Sequence, residues 1–281
     1  MTTEDEALEK TRTESIHAGN GQESSGGSRV IIREFVSGLC GALGFSTGTA
    51  TFEQGAVLPC HKHSFSEAIV ILSGTANAIV EGRSYRLEPF DCLHVPAQVA
   101  HEVRNLSETS PLVALWAFAS NEPSRHLVEP SFAIVDRGLS NPDPKDPENI
   151  VRFADAEIYN LSEGAEFRDL FSGKFGAVGI CGGYGRFQPT ASLPCHIHKY
   201  DESITIVEGE AVCLVQGNSY RLSGFDTAFV PEGRPHRFLN HSNSSMAMIW
   251  VYAGSEPERT LLDPGYCDGT LPWNETNLER S

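Results

Sequence analysis

The segment Leu58-Pro-Cys-His-Lys-His63 returns as Leu193-Pro-Cys-His-Ile-His198, and this repetition constrains the architecture more than any other feature. Glu67 returns as Glu202, Gly74 as Gly209, and Tyr85-Arg-Leu87 as Tyr220-Arg-Leu222. Phe90-Asp91 returns as Phe225-Asp226, Pro96 as Pro231, His101 as His236 and Asn105 as Asn240. These pairs, with Gly41-Ala-Leu-Gly44 and Gly176-Ala-Val-Gly179 upstream, are offset by 135 positions. Downstream the offset is 134, pairing Trp116 with Trp250, Glu122-Pro123 with Glu256-Pro257, and Arg125 with Arg259. A register held over roughly a hundred residues with one deletion marks a duplication, so two units of ~110 residues follow one another.

The units are expected over residues 29–140 and 150–270. Between them, residues 141–149 contain Asn141-Pro-Asp-Pro-Lys-Asp-Pro-Glu148, whose prolines extend neither helix nor sheet and predict a connector. Residues 1–28 are polar and Ser/Gly-rich with no apolar period, which predicts a flexible, disordered tail. Residues 271–281 form a second tail. Trp273 within it has no repeat partner and suits a cover over a barrel mouth or an interface.

Within each unit the pattern is β. Glu67-Ala-Ile-Val-Ile-Leu72 is a short apolar run rich in β-branched residues and closed by Ser73-Gly74. Thr75-Ala-Asn-Ala-Ile-Val80 follows and ends at Glu81-Gly82, a hairpin turn signal. Residues 84–87 and 92–95 make further short strands around the break at Glu88-Pro89. Trp116 and Phe118, like Trp250 and Tyr252, alternate as aromatics of core strands do. Short strands at ~8–12-residue spacing predict an all-β sandwich or barrel.

The charge balance narrows the partners. Lys and Arg number 21 against 37 Asp and Glu, a net charge of −16, which argues against nucleic acid and an anionic membrane surface. No stretch approaches the ~18 apolar residues of a membrane span. The start of the chain lacks the basic and apolar regions of a secretory signal. Seven scattered cysteines without a C-x-x-C spacing read as reduced thiols, and the chain as cytoplasmic.

Six of the ten histidines belong to the repeated motif. On an extended segment residues two apart face the same side, so His61 and His63 point together, and Glu67 shares their parity if the segment stays extended. His196, His198 and Glu202 repeat this, and His101 and His236 follow on a later strand. Three imidazoles and one carboxylate meeting inside a barrel suit one divalent transition metal per unit: Fe, Mn, Ni, Co or Zn. Cys60 and Cys195 have the opposite parity and are expected to pack. His94, matched by Phe229, either lines the first pocket or is an ordinary half-buried histidine. Arg104 and Arg237, near the distal ligands, either receive a substrate carboxylate or stay solvated.

With these residues the sequence resembles the cupin superfamily. Its first motif, G-x5-H-x-H-x3-4-E-x6-G, is matched by Gly55, His61, His63, Glu67 and Gly74. In the second copy Thr190 replaces the opening glycine. The second motif, G-x5-P-x-G-x2-H-x3-N, is matched by Pro231, Gly233, His236 and Asn240, and by Pro96, His101 and Asn105. Phe90 and Phe225 stand where its first glycine is expected, and Gln98 replaces the later one.

The resemblance implies a bicupin, two tandem jelly-roll barrels that each hold a metal through the four residues named. It further implies an enzyme on a small organic molecule, first of all an oxygen-dependent dioxygenase. A Lewis-acid isomerase, decarboxylase or lyase is the alternative, and a sugar- or organic-acid-binding module is the alternative of another class. In the enzymatic readings Glu67 or Glu202 is the fourth ligand and also the candidate base. Barrels of this type also associate through sheet edges, so a homo-oligomer is a further expectation.

Overall fold

The computed structural model describes residues 13–17, 19, 22–27 and 29–274. All the strands among them belong to four sheets. In the first barrel, Val30–Val36, Ser46–Phe52, Glu67–Ser73, Cys92–Val95 and Leu112–Phe118 belong to a seven-stranded sheet. Facing it is a six-stranded sheet that includes Val57–Lys62, Ala76–Val80, Arg83–Leu87 and His101–Asn105. The second barrel repeats this with a seven-stranded sheet around Glu202–Glu208 and Met246–Tyr252. Its five-stranded partner includes His196–Ile197, Glu210–Val215 and His236–Leu239. Both repeats are therefore jelly-roll barrels: the strand spacing predicts a sandwich or barrel, and the resemblance to cupins implies this form of it.

Three cores explain why the central strands are apolar on both faces. Ile69 and Ile71 point into the first barrel with Phe52, Leu93, Val103 and Trp116. Ala68, Val70 and Leu72 of the same strand point the other way. They pack with Phe171, Phe229, Ile249 and Val251 of the second repeat, which fuses the barrels back to back. Phe187, Ile204, Phe238 and Trp250 fill the second barrel. A strand buried on both faces reads as a continuous hydrophobic run.

Turn chemistry follows the sequence closely. Glu81 and Gly82 both have positive φ, 45° and 88°, as a two-residue type I′ hairpin requires. The positions where the family motif expects glycine keep the left-handed backbone without it. Phe90, Gln98 and Thr190 have φ of 67° and Phe225 has 68°. The substitutions changed the side chain and left the turn.

The segments between and before the barrels are more structured than composition suggests. Residues 1–12 of the expected tail lie outside the described residues. Ser15–His17, however, pairs with Thr227–Val230 of the second barrel, and Gln22–Gly27 pairs with Val30–Val36. The connector ends in Asn149–Val151, which adds to the first barrel beside Cys92–Val95. Each repeat thus lends its opening strand to the other barrel. Polar residues succeed here because the backbone supplies the pairing. The connector is also anchored: the buried Glu148 carboxylate accepts hydrogen bonds from Arg83 Nε (2.7 Å) and the Tyr85 hydroxyl (2.8 Å).

The reading of all seven cysteines as reduced thiols is corrected. Cys195 and Cys267 form a disulfide that ties the short helix Pro264–Asp268 to the strand bearing His196. Cys40, Cys60, Cys92, Cys181 and Cys213 are free. Trp273 packs edge-on to Tyr266 of that helix, with ring centroids 5.1 Å apart. Residues 275–281 of the expected second tail lie outside the described residues. Among the described residues no helix is long and apolar enough to cross a membrane.

Candidate metal centres

Barrel closure brings four donors together in each repeat. His61, next to last in its strand, lies directly opposite His101, and His196 stands opposite His236 in the same register. The chain then crosses from one sheet to the other through His63 and residues 64–66, and Glu67 opens the strand on the facing sheet. Glu67 and Glu202 therefore reach the site from across the barrel and not along an extended segment.

Within each group, His61, His63, Glu67 and His101 or His196, His198, Glu202 and His236, the ligand atoms lie within 4.8 Å of one another. All eight side chains are buried. Glu67 Oε2 is 2.7 Å from His101 Nε2 and 3.1 Å from His63 Nε2. Glu202 Oε2 is 2.7 Å from His236 Nε2 and 3.3 Å from His198 Nε2.

Every imidazole is oriented by its other nitrogen. Nδ1 of His61, His63 and His101 hydrogen-bonds the carbonyls of Pro59, Ser124 and Val99 at 2.8, 2.5 and 3.1 Å. In the second barrel the carbonyls of Pro194, Glu258 and Arg234 hold His196, His198 and His236 at 2.8, 2.5 and 2.8 Å. A carbonyl only accepts, so Nδ1 carries the proton and Nε2 offers its lone pair to the shared centre.

The donor set fits a divalent cation. Nε2 of His63, His101 and His198 and Oε2 of Glu67 are buried without a hydrogen-bond partner, although close neighbours surround them. In the first centre, lone pairs that aim at a common point leave this pattern; in the second, His236 Nε2 and Glu202 Oε2 are hydrogen-bonded at 2.7 Å. Burial, reinforced by His101 and His63, pulls His61 down to about 3, and His196 also falls well below its ordinary value, so both stay neutral as ligands must. Burial alone would raise Glu67 and Glu202, but the flanking histidines hold both below the usual carboxylate range.

A cavity of about 280 Å³ reaches the first centre. His61, His63 and Glu67 lie at its end, its walls include Phe52, Ile69 and Trp116, and Glu34 and Arg125 are its charged residues besides the ligand Glu67. The corresponding positions of the second barrel are bulkier. Ser24 pairs with Ile32 at the first mouth, whereas Tyr159 pairs with Phe167 at the second. Tyr159 donates to Asp169 Oδ1 at 2.7 Å, and Phe167 stands edge-on to Phe187. Phe238 and Met248 replace Val103 and Ala114.

Other expected residues fall outside the centres. Arg104 is half exposed and paired with Glu102, and Arg237 is paired with Asp268 at 2.5 Å. His94 does not line the first pocket. It shares the parity of Cys92, which faces the inter-barrel core, and its Nε2 lies 3.4 Å from Ser66 Oγ. Cys60 and Cys195 are buried outside the donor groups. Conversely, Glu34 belongs to no motif in the sequence, and Arg125 stands out there only through its repeat as Arg259.

The family model described as Cupin domain matches residues 48–118 and 183–252. The chain belongs to the cupin family, and its two matched domains make it a bicupin. Its fold is similar to solved oxalate decarboxylases. The Lactobacillus farciminis oxalate decarboxylase formate complex superposes with a TM-score of 0.72 at 16% identity, covering 89% of this chain and 88% of that one. Oxalate decarboxylase from Bacillus subtilis at pH 4.6 gives 0.71 at 14% identity, covering 95% and 84%. A further Bacillus subtilis structure, described for its Mn(II) centres, gives 0.71 at 14% identity, covering 95% and 85%. No curated protein matches the chain by sequence.

Proposed function

We propose that the first barrel is the catalytic centre of a metal-dependent lyase of the decarboxylase type, acting on a small organic acid. The observation that carries this reading is the cavity, in which a metal-ligand set, one guanidinium and one further carboxyl group meet inside apolar walls. The expectation of oxygen insertion gives way to its alternative because the similar solved structures are decarboxylases.

His61, His63, Glu67 and His101 would hold a divalent metal, which would supply Lewis-acid chemistry there. The chain's own residues do the rest. Arg125 lines the same cavity and its charge acts on Glu67 and His63, so its guanidinium is available to orient the substrate carboxylate. Phe52, Ile69, Trp116 and Phe118 exclude water and strengthen these charges. When the bond between the α-carbon and the carboxyl carbon breaks, its electron pair stays on carbon and carbon dioxide leaves. Glu34, which accepts a hydrogen bond from Ser37, delivers the proton that completes the product and regains one from solvent. No oxidant enters the balance. Glu67 remains a ligand, and Glu202 with its three histidines holds a second metal under the aromatic fill.

The test follows carbon dioxide and dioxygen together in manganese- and iron-loaded protein given oxalate and a series of 2-oxo and 3-oxo acids. Carbon dioxide release without oxygen uptake, lost in Arg125→Ala and Glu34→Gln, is the expected result. Stoichiometric oxygen uptake would return the assignment to a dioxygenase.

A further inference from the structure

The polarity of the first cavity is informative about what enters it. Its walls are apolar over Ile32, Phe52, Leu58, Val103, Ala114 and Trp116. A volume of about 280 Å³ corresponds to roughly nine waters, near the small end of ligand cavities. A small acid with no hydrocarbon would leave those walls unmatched.

Arg125 gives the cavity its one cation. It is half-buried, and its Nη2 donates to the Ser25 carbonyl at 3.0 Å. No carboxylate among the described residues lies within ion-pair distance of it, whereas Arg83, Arg137 and Arg152 all have such partners. A half-buried guanidinium without a resident anion is poised to take one from solution. Burial also lowers its pKa, the direction expected of a cation short of counter-charge.

We infer that the first cavity selects an organic acid with a single carboxylate and a compact apolar body, anchored by Arg125. This rests on the reading of that barrel as an organic-acid site and adds to it the substrate class. The carboxylate pairs with the guanidinium, and the apolar body lies against Phe52, Ile69 and Trp116. The second barrel keeps the corresponding Arg259, but Tyr159 and Phe167 stand where Ser24 and Ile32 leave the first mouth open.

The test is calorimetric binding to the metal-loaded full chain, with phenylacetate, acetate and 2-phenylethanol as probes and no turnover required. Phenylacetate should bind roughly 10- to 100-fold more tightly than acetate, the worth of burying one large apolar group. It should exceed the uncharged alcohol by a similar factor, the worth of a charge-assisted hydrogen bond. Arg125→Ala should erase the second advantage and keep the first, Arg125→Lys should restore part of it, and Arg259→Ala should change neither. Metal content measured alongside shows that each variant is folded. Equal affinities for phenylacetate and acetate, or an Arg125→Ala protein that binds like the parent, would overturn the inference. Absence of carbon dioxide release alongside intact binding would instead count against the lyase reading alone.

Discussion

Replacing Cys267 with serine tests the departure from a reduced, thiol-only chain. The disulfide joins residues 72 apart in sequence. Closing a loop of that length removes about 15 cal/mol/K from the unfolded ensemble, or about 4.4 kcal/mol at 25 °C, as a ceiling. At roughly 2–4 °C for each kcal/mol, the melting midpoint of Cys267→Ser should fall by up to about 9–18 °C. The same bond fixes Cys195 beside His196, so metal should be lost from the second centre before the first as the variant is warmed. Calorimetry with and without reductant, together with metal analysis, reads both effects. Thiol titration of the unfolded, unreduced protein should find the five free cysteines and not all seven. Seven reactive thiols without reductant, with a midpoint indifferent to reducing agent, would refute the reasoning.

Further outcomes follow from the barrels themselves. Ser24→Tyr with Ile32→Phe copies the second mouth onto the first; it should abolish phenylacetate binding while both metals stay bound, as isotherms and elemental analysis would show. Phe52→Ala should cost about 3–5 kcal/mol in urea unfolding, because Phe52 is fully buried in the first core. Burial holds His94 down to about 4 against an ordinary 6.5, so the unfolded chain takes up that proton first. Its contribution is complete above about pH 6.5 and is lost as the pH falls towards about 4, by about 3 kcal/mol. His94→Phe, which copies Phe229, should be less acid-sensitive than the parent by about 2 kcal/mol between unfolding at pH 7 and at pH 4.5.

Much of the fold was legible because duplication prints every constraint twice. The ligand types, the hairpin at Glu81-Gly82 and the apolar run after Glu67 all follow from residue type and spacing. Strand parity does put His61 and His63 on one side, but Glu67 arrives by a change of sheet at residues 64–66. Convergence there belongs to the closed barrel and not to one strand. Pairing of Ser15–His17 with the other barrel was invisible because backbone hydrogen bonds need no particular side chain. The Cys195–Cys267 bond left no spacing pattern, since its partners meet only through the terminal helix. Arg125 did carry a signal, its return as Arg259 after Glu-Pro in both copies, but only the cavity shows what it faces.

The claim that eight side chains converge as two separate metal centres is tested most directly by elemental analysis of protein purified without added metal or chelator. Two divalent ions per chain are expected, falling to one in His61→Ala and to one in His196→Ala. Fewer than one ion per chain in the parent, or loss of both ions from either substitution, would contradict it.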